Sequence, residues 1–332
     1  SARASALMEA VETWHAERVL QPLRLATYRE LSHQPVADIQ GLPYCQGSRF
    51  HPDLPLLWVQ GQDLLAPGTC RWLPFELVHS DYTLPTHSGS GCFAANTNGL
   101  ASGNDLNEAL VHALGEVIER DAISLWNLLP LEQRAEMGLD PASIDSPTAR
   151  AVLERYRAAG MELALWEIGT DIGLPVVVCQ TREGADHPHR LWPHPTMGSG
   201  CHPHREVALL RALTEAAQVR ATFIAGSRDD LSAEDYSRQA DQRWPDHSGH
   251  CLPRRRFIDL PSRNHITMEE DLAWILERLT GAGIRQVLAV NLTRPELGLR
   301  VVRVVVPGLE GAWGHGNWVP GPRARRRLEG GL

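Results

Sequence analysis

Thr97 to Asp121 reads TNGLASGNDLNEALVHALGEVIERD, a Gly-rich turn followed by a segment in which Glu108, Glu116, Glu119 and Arg120 stand among apolar residues. At about 100° per residue, Glu116 and Glu119 project within roughly 60° of each other, and Glu108 within about 80° of both. Leu106, Ala109, Leu110, Val111, Ala113, Leu114, Val117, Ile118, Ala122 and Ile123 cover most of the remaining circumference, the pattern of a largely buried helix. Carboxylates in such a setting need cations or hydrogen-bond donors. A bound metal carrying phosphate oxygens would satisfy several at once, whereas a structural role would require an arginine for nearly every acid. Asp105 with Glu108 also fits a D-x-x-E capping box, which gives Glu108 a purely local reading.

Two further segments repeat the arrangement. Ser5, Glu9 and Glu12 follow one another at spacings of four and three, with Ala6, Leu7, Ala10 and Val11 on the other faces. Arg211, Glu215 and Gln218 follow the same spacing within about 60° of one another, amid Ala208, Leu209, Leu210, Leu213 and Ala217. One polar stripe is as readily a solvated face or a salt-bridge row; three on otherwise apolar helices favour a shared ligand.

Composition narrows that ligand's binding mode. The 332 residues contain no lysine, so all 32 basic residues are arginine. A Walker A loop, which needs its G-K-[ST] lysine, is excluded, as is lysine Schiff-base chemistry. Any nucleotide must be held by arginine, backbone amides and carboxylate-bound metal. The net charge of -8 argues against a general nucleic-acid surface, and Arg323, Arg325, Arg326 and Arg327 read as a solvated or flexible end, with contact to an acidic partner as the alternative. No segment approaches the ~18–20 uninterrupted apolar residues of a membrane span, and the six scattered cysteines lack any C-x-x-C pair. The expectation is a soluble, cytoplasmic protein with reduced thiols.

The elements that must position these residues follow from periodicity. After the first helix, LPLLWVQG and CRWLPFELV suit strands, and a helix of about 25 residues is expected from Asp105. SPTARAVLERYRAAG reads as helix, MELALWEIG and LPVVVCQTR as strands, residues 205–224 as helix, 226–265 as a polar excursion serving as a lid, a substrate contact or a disordered segment, MEEDLAWILERLTGAG as helix, and QVLAVNLT and LRVVRVVVPG as strands. Alternation of this kind indicates an α/β fold, expected as one compact unit over residues 1–306 with a Gly/Pro/Arg-rich tail over 307–332. The chain opens inside a helix without a cap, so residues upstream of the first motif are expected to be missing.

In combination, S-A-x-x-E-x-x-E at Ser5 to Glu12, N-G-L-A-S-G-N with E-A-x-x-x-A-x-x-E-x-x-E-R-D over Asn98 to Asp121, and R-A-L-x-E-A-x-Q over Arg211 to Gln218 resemble the YcaO family. The resemblance covers most of the chain. It implies a YcaO-type fold, with mixed sheets and buried helices enclosing a non-P-loop ATP and Mg2+ site. It also implies activation of backbone amides in ribosomally made peptides by O-phosphorylation, followed by nucleophilic substitution. Carried over by motif, Glu9, Glu12, Glu116 and Glu119 are the expected magnesium ligands, and Ser5, Asn104, Glu108, Arg211, Glu215 and Gln218 the expected nucleotide contacts. Further family nucleotide contacts lie upstream of the first helix.

What the family leaves open is the nucleophile: a Cys, Ser or Thr side chain gives an azoline, sulfide a thioamide, an amine an amidine. Azoline-forming members commonly end in a proline-rich tail, and GPRARRRLEGGL is not one. This favours thioamidation of a precursor peptide or protein with a TfuA-type partner over cyclodehydration. A non-catalytic nucleotide- or peptide-binding scaffold is the alternative from another class, and a homodimer is compatible with all three. Outside the motifs, Ser88 to Phe93 (SGSGCF) is either a phosphate cradle or a turn. His202 and His204 beside Cys201 fit no zinc spacing and read as a turn, as do the histidines within Asp186 to His194. Cys92 and Cys201 are either sulfur carriers or buried small hydrophobes.

Overall fold

A computed structural model describes residues 2–184, 192, 194–226, 234, 236, 246–311 and 318–330. The first part of the chain forms α1 (Ala2–Glu17), β1 (Arg24–Ala26), α2 (Tyr28–Leu31), β2 (Leu56–Asp63), β3 (Cys70–Pro74), β4 (Leu100–Gly103) and α3 (Leu106–Asn127). There follow α4 (Leu131–Ala135), α5 (Pro147–Ala158), β5 (Met161–Glu167), β6 (Val176–Glu183), β7 (Thr196–Cys201) and α6 (Arg205–Ala225). The last part holds α7 (Met268–Gly281), β8 (Leu288–Asn291), β9 (Arg300–Val305) and α8 (Pro322–Leu328). The chain divides into two compact units: Ser1–Leu128 with His265–Leu332, and Leu129–Asn264. No described helix is long and apolar enough to cross a membrane.

In the first unit the sheet runs β1-β2-β8-β9-β4, with β3 paired to β2. Its core includes Trp58, Val59, Leu73, Phe93, Val290 and Val301. α3 packs on β4 and β9 and also meets α7 and α8, while α1 packs on β4. The Asp105 side chain caps α3 by accepting the Glu108 N–H at 2.9 Å, and α7 opens with a full Thr267/Glu270 capping box. Gly99 supplies the tight entry to β4 with φ of 79°. A Cβ there would sit 2.2 Å from the Val304 carbonyl oxygen, so only glycine fits.

The second unit is a β5-β6-β7 sheet with α6 laid on β7 and α5 on β5. β6, the central strand, is a continuous buried VVVCQT run. Ser146 caps α5 ahead of Pro147. Contact between α6 and β7 is backbone on backbone: a Cβ at Gly200 would meet the Ala208 carbonyl oxygen at 2.1 Å, and one at Gly198 the Ala216 nitrogen at 2.2 Å. Gly200→Ala must therefore push α6 off its strand. With overpacking worth about 1–3 kcal/mol, a Tm roughly 4–10 °C lower is expected by calorimetry, and an unchanged Tm would refute this close contact.

Every named strand pair is antiparallel; parallel pairing is confined to isolated bridges such as Val36 with Trp72. Two expectations change. α1 is mostly exposed, with Leu7 at 65%, because only its later turns reach β4 and the core. Nor is the arginine-rich end a solvated tail throughout. Arg323 is 2% exposed on α8 and pairs with fully buried Asp121 of α3 at 3.1 Å. The Glu310 carboxylate binds the start of α8 by accepting the backbone N–H groups of Gly321, Arg323 and Ala324 at 2.7, 3.0 and 2.8 Å. A carboxylate facing unpaired helix N-terminal amides is favourable by hydrogen bonding and by the helix dipole.

Candidate functional site

Glu12 of α1 and Glu116 of α3 both reach the β4 stretch, on which the two helices pack. Glu12 Oε1 accepts both the Ser102 N–H at 2.8 Å and the Ser102 hydroxyl at 2.5 Å. Burial pushes the Glu12 carboxyl above its ordinary pKa; the Ser102 bonds oppose this, and the negative charges of Glu116 and Glu9 reinforce it. Both acids thus lie within electrostatic reach of Glu12. Glu116 Oε2 accepts the Gly99 N–H at 3.2 Å, and its Oε1 lies 3.9 Å from Arg120 Nη2. Glu119, one turn further along α3, is buried at 7% exposure. Ser5 and Glu9 lie on the exposed part of α1.

Glu12 and Glu116 are oxygen donors of the type that a hard divalent cation takes. Like charges converge on a half-buried carboxylate whose charged form is already disfavoured, and a cation relieves that penalty. Among the described residues no three His, Cys, Asp or Glu side chains stand in a metal-holding group. Magnesium retains water and phosphate ligands and needs few protein carboxylates.

Asn104 and Glu108 are held to one another, Glu108 Oε2 accepting the Asn104 N–H at 2.8 Å and its side-chain amide at 2.9 Å. The capping box is therefore half formed: Asp105 caps Glu108, but the Glu108 side chain turns to Asn104. In the second unit, Arg211, Glu215 and Gln218 share a face of α6. Glu215 Oε2 accepts the Ser199 N–H at 2.6 Å and its hydroxyl at 3.1 Å. Arg211 is half-buried and Gln218 exposed.

One device thus appears in both units. A strand serine, Ser102 on β4 or Ser199 on β7, donates N–H and O–H to a single oxygen of a helix carboxylate, fixing its rotation and directing the second oxygen elsewhere. Sequence spacing did not reveal either serine, since each partner lies on another element; the only local signal is a serine among small strand residues beside a stripe. Ser102→Ala removes a bond to a charged acceptor, worth about 1.5–3 kcal/mol. A 10–100-fold weaker calorimetric Kd for magnesium with a nonhydrolysable ATP analogue is expected, and an unchanged Kd would exclude this positioning role.

Other sequence candidates resolve into structure. In the SGSGCF loop the N–H groups of Gly91, Cys92 and Phe93 are donated to the Glu76 carboxylate at 2.5, 3.1 and 2.9 Å, so these amides are not a phosphate cradle. Cys92 is buried, and that burial, aided by Glu76, pushes its thiol up to about 11, away from the reactive thiolate. Cys201 is likewise buried. His202 Nδ1 accepts the His204 N–H at 3.0 Å, a local turn. His194 is buried; His187, His189 and most of residues 227–245 within the 226–265 excursion lie outside the described residues.

A family model described as YcaO cyclodehydratase, ATP- and Mg2+-binding, matches residues 1–310. The chain belongs to the YcaO family. ATP and Mg2+ are the cofactors of that family. An uncharacterized protein in the tfuA 3' region of Rhizobium leguminosarum bv. trifolii is 37% identical over 93% of this chain and 74% of its own length. An uncharacterized protein of Methanothermobacter thermautotrophicus is 34% identical over 93% and 79%. Among solved structures, a heterocyclase in complex with substrate and cofactor superposes with a TM-score of 0.77 at 24% identity, over 99% of this chain and 46% of that one. YcaO from Methanopyrus kandleri, bound with AMPPCP and Mg2+, gives 0.69 at 24% identity, over 93% and 76%. The YcaO fold is thereby shown, and the chain spans about half the length of the solved heterocyclases it matches.

Proposed function

We propose that this YcaO protein activates a peptide backbone amide by ATP-dependent O-phosphorylation and completes the reaction by nucleophilic substitution, with sulfide as nucleophile and a thioamide as product. The observation that carries the amide-activating reading is that Glu12 of α1 and Glu116 of α3 bond Ser102 and Gly99, three positions apart at β4, bringing two acids to one stretch of chain where a cation would offset their charge. When bound, ATP with magnesium supplies the phosphoryl group that converts a poor oxygen leaving group into a good one. Glu9, Glu12, Glu116 and Glu119 would hold the ion. Asn104, Glu108, Arg211, Glu215, Gln218 and Ser5 would contact the nucleotide, Arg211 through a planar fork matched to phosphate oxygens. Such chemistry asks the protein for position and charge neutralisation rather than covalent help. Glu12 and Glu215, each locked by a serine, meet that demand.

Support for sulfur as the nucleophile comes from the relative in the tfuA 3' region, and the implied partner is a TfuA-type protein. The family description as a cyclodehydratase supports azoline formation as the second reading. Incubation with precursor peptide or protein, ATP, Mg2+, sulfide and a TfuA-type partner is expected to yield product about 16 Da heavier, oxygen being replaced by sulfur, with ATP consumed. A loss of about 18 Da would instead mark ring closure by loss of water. Absence of ATP turnover with every substrate combination would leave a binding scaffold.

A further inference from the structure

β9 carries an arginine in the middle of an otherwise apolar buried run, RVVRVV. Arg303 is 2% exposed. Its Nε donates to the Leu77 carbonyl at 2.9 Å and one Nη to the Asn96 carbonyl at 2.5 Å. The remaining Nη1 is buried without a hydrogen-bond partner, and no described carboxylate forms an ion pair with the group. Burial lowers the guanidinium pKa to about 10, with Glu116 opposing. Glu116 is therefore close enough to be felt, and it is already engaged by Gly99 and Arg120.

Arg303 lines a cleft of about 400 Å3, open solvent included, together with Asn96, Asn98, Val117, Glu310 and Gly311 among others. Its one acid, Glu310, spends both oxygens on the start of α8. Asn98 adds a second polar group, its side-chain Oδ1 being buried and unpartnered. The two ends of an amide exchange by rotation, so the same position presents an N–H2 donor equally well. A buried guanidinium without a counter-ion is costly, and an arriving oxyanion removes that cost.

We propose that Arg303 and Asn98 form an oxyanion subsite for a phosphoryl group, Asn98 directly preceding Gly99, whose N–H bonds Glu116. That the anion is phosphoryl rests on the amide-activating reading; that the cleft takes a tetrahedral oxyanion rests on its own geometry. Charge partition follows: Glu12 and Glu116 would draw the cation and Arg303 the anion.

The test uses inorganic phosphate alone, at constant ionic strength, followed by thermal unfolding of the full chain. Phosphate, but not chloride or acetate, is expected to raise Tm by roughly 2–5 °C at ten times its Kd. The shift is expected to vanish in Arg303→Gln. Asn98→Asp supplies an internal carboxylate, keeps the fold if Arg303→Gln does not, and is expected to abolish the shift as well. Repeating the titration over Mg2+ and a nonhydrolysable ATP analogue separates the sources. Competition assigns the subsite to the nucleotide's terminal phosphate, and additivity assigns it to phosphate released by the reaction. A phosphate shift that is absent in the native chain, or retained in both variants, overturns the proposal. Failure of the nucleotide analogue to stabilise the native chain would instead count against the amide-activating reading and leave the phosphate result legible.

Discussion

Glu116→Gln is expected to abolish the stabilisation that magnesium with a nonhydrolysable ATP analogue confers on the native chain, while leaving the ligand-free Tm nearly unchanged. The two halves of that expectation have different causes. Structurally, Glu116 serves as an acceptor for the Gly99 N–H at 3.2 Å, and a glutamine oxygen accepts the same bond. Its pairing with Arg120 spans 3.9 Å on a part-exposed helix face, an interaction worth only a few tenths of a kcal/mol. Neither loss unfolds α3. What glutamine cannot replace is the charge. Two unit charges 4 Å apart interact with about 4 kcal/mol at an effective dielectric of 20. Surrendering two-thirds of that at a divalent ion weakens binding roughly a hundredfold. Stabilisation by ligand scales as the logarithm of its concentration over Kd, so at a concentration that stabilises the native chain the variant should show almost none. An unchanged ligand-induced shift would remove Glu116 from the ligand set; a collapsed ligand-free Tm would show that its role is to hold the Gly99 turn.

The stripe on α3 was legible because helical periodicity is local: Asp105, Glu108, Glu116 and Glu119 fall where counting at 100° per residue places them, and α3 starts at its expected cap. The apolar runs that became β5, β6, β8 and β9 were legible for the same reason. Strand direction was not, since a helix followed by a strand reads alike whether that strand pairs parallel or antiparallel. Nor were the long-range partners. Ser102 meets Glu12 across 90 positions and Glu76 meets Gly91 across 15, and no spacing rule links them. A missed signal did exist at Arg303: one arginine inside an apolar strand run is a buried charge announced in sequence. At the C-terminal end clustered arginines read as a solvated surface, although Asp121, five residues beyond Glu116 on α3, requires a cation of its own.

That pair sets the second large expectation, on stability. Asp121 is fully buried and Arg323 is 2% exposed, with 3.1 Å between Asp121 Oδ1 and Arg323 Nε. Asp121 Oδ1 also accepts the Glu310 N–H at 2.9 Å, so α3, the chain after β9 and α8 converge on one carboxylate. Arg323→Ala leaves that carboxylate buried without its cation, which costs about 3–5 kcal/mol. For a unit of this size the loss corresponds to a Tm roughly 8–15 °C lower. Asp121→Asn should cost less, because an amide oxygen still accepts the Glu310 N–H and only the arginine's charge is stranded. Asp121→Asn combined with Arg323→Met removes both charges while retaining volume, and the double variant should recover a substantial part of the Arg323→Ala loss. A strictly additive cycle would mean that the two side chains stabilise the fold independently and that packing of the arginine stem, rather than its pairing with Asp121, holds α8 to α3.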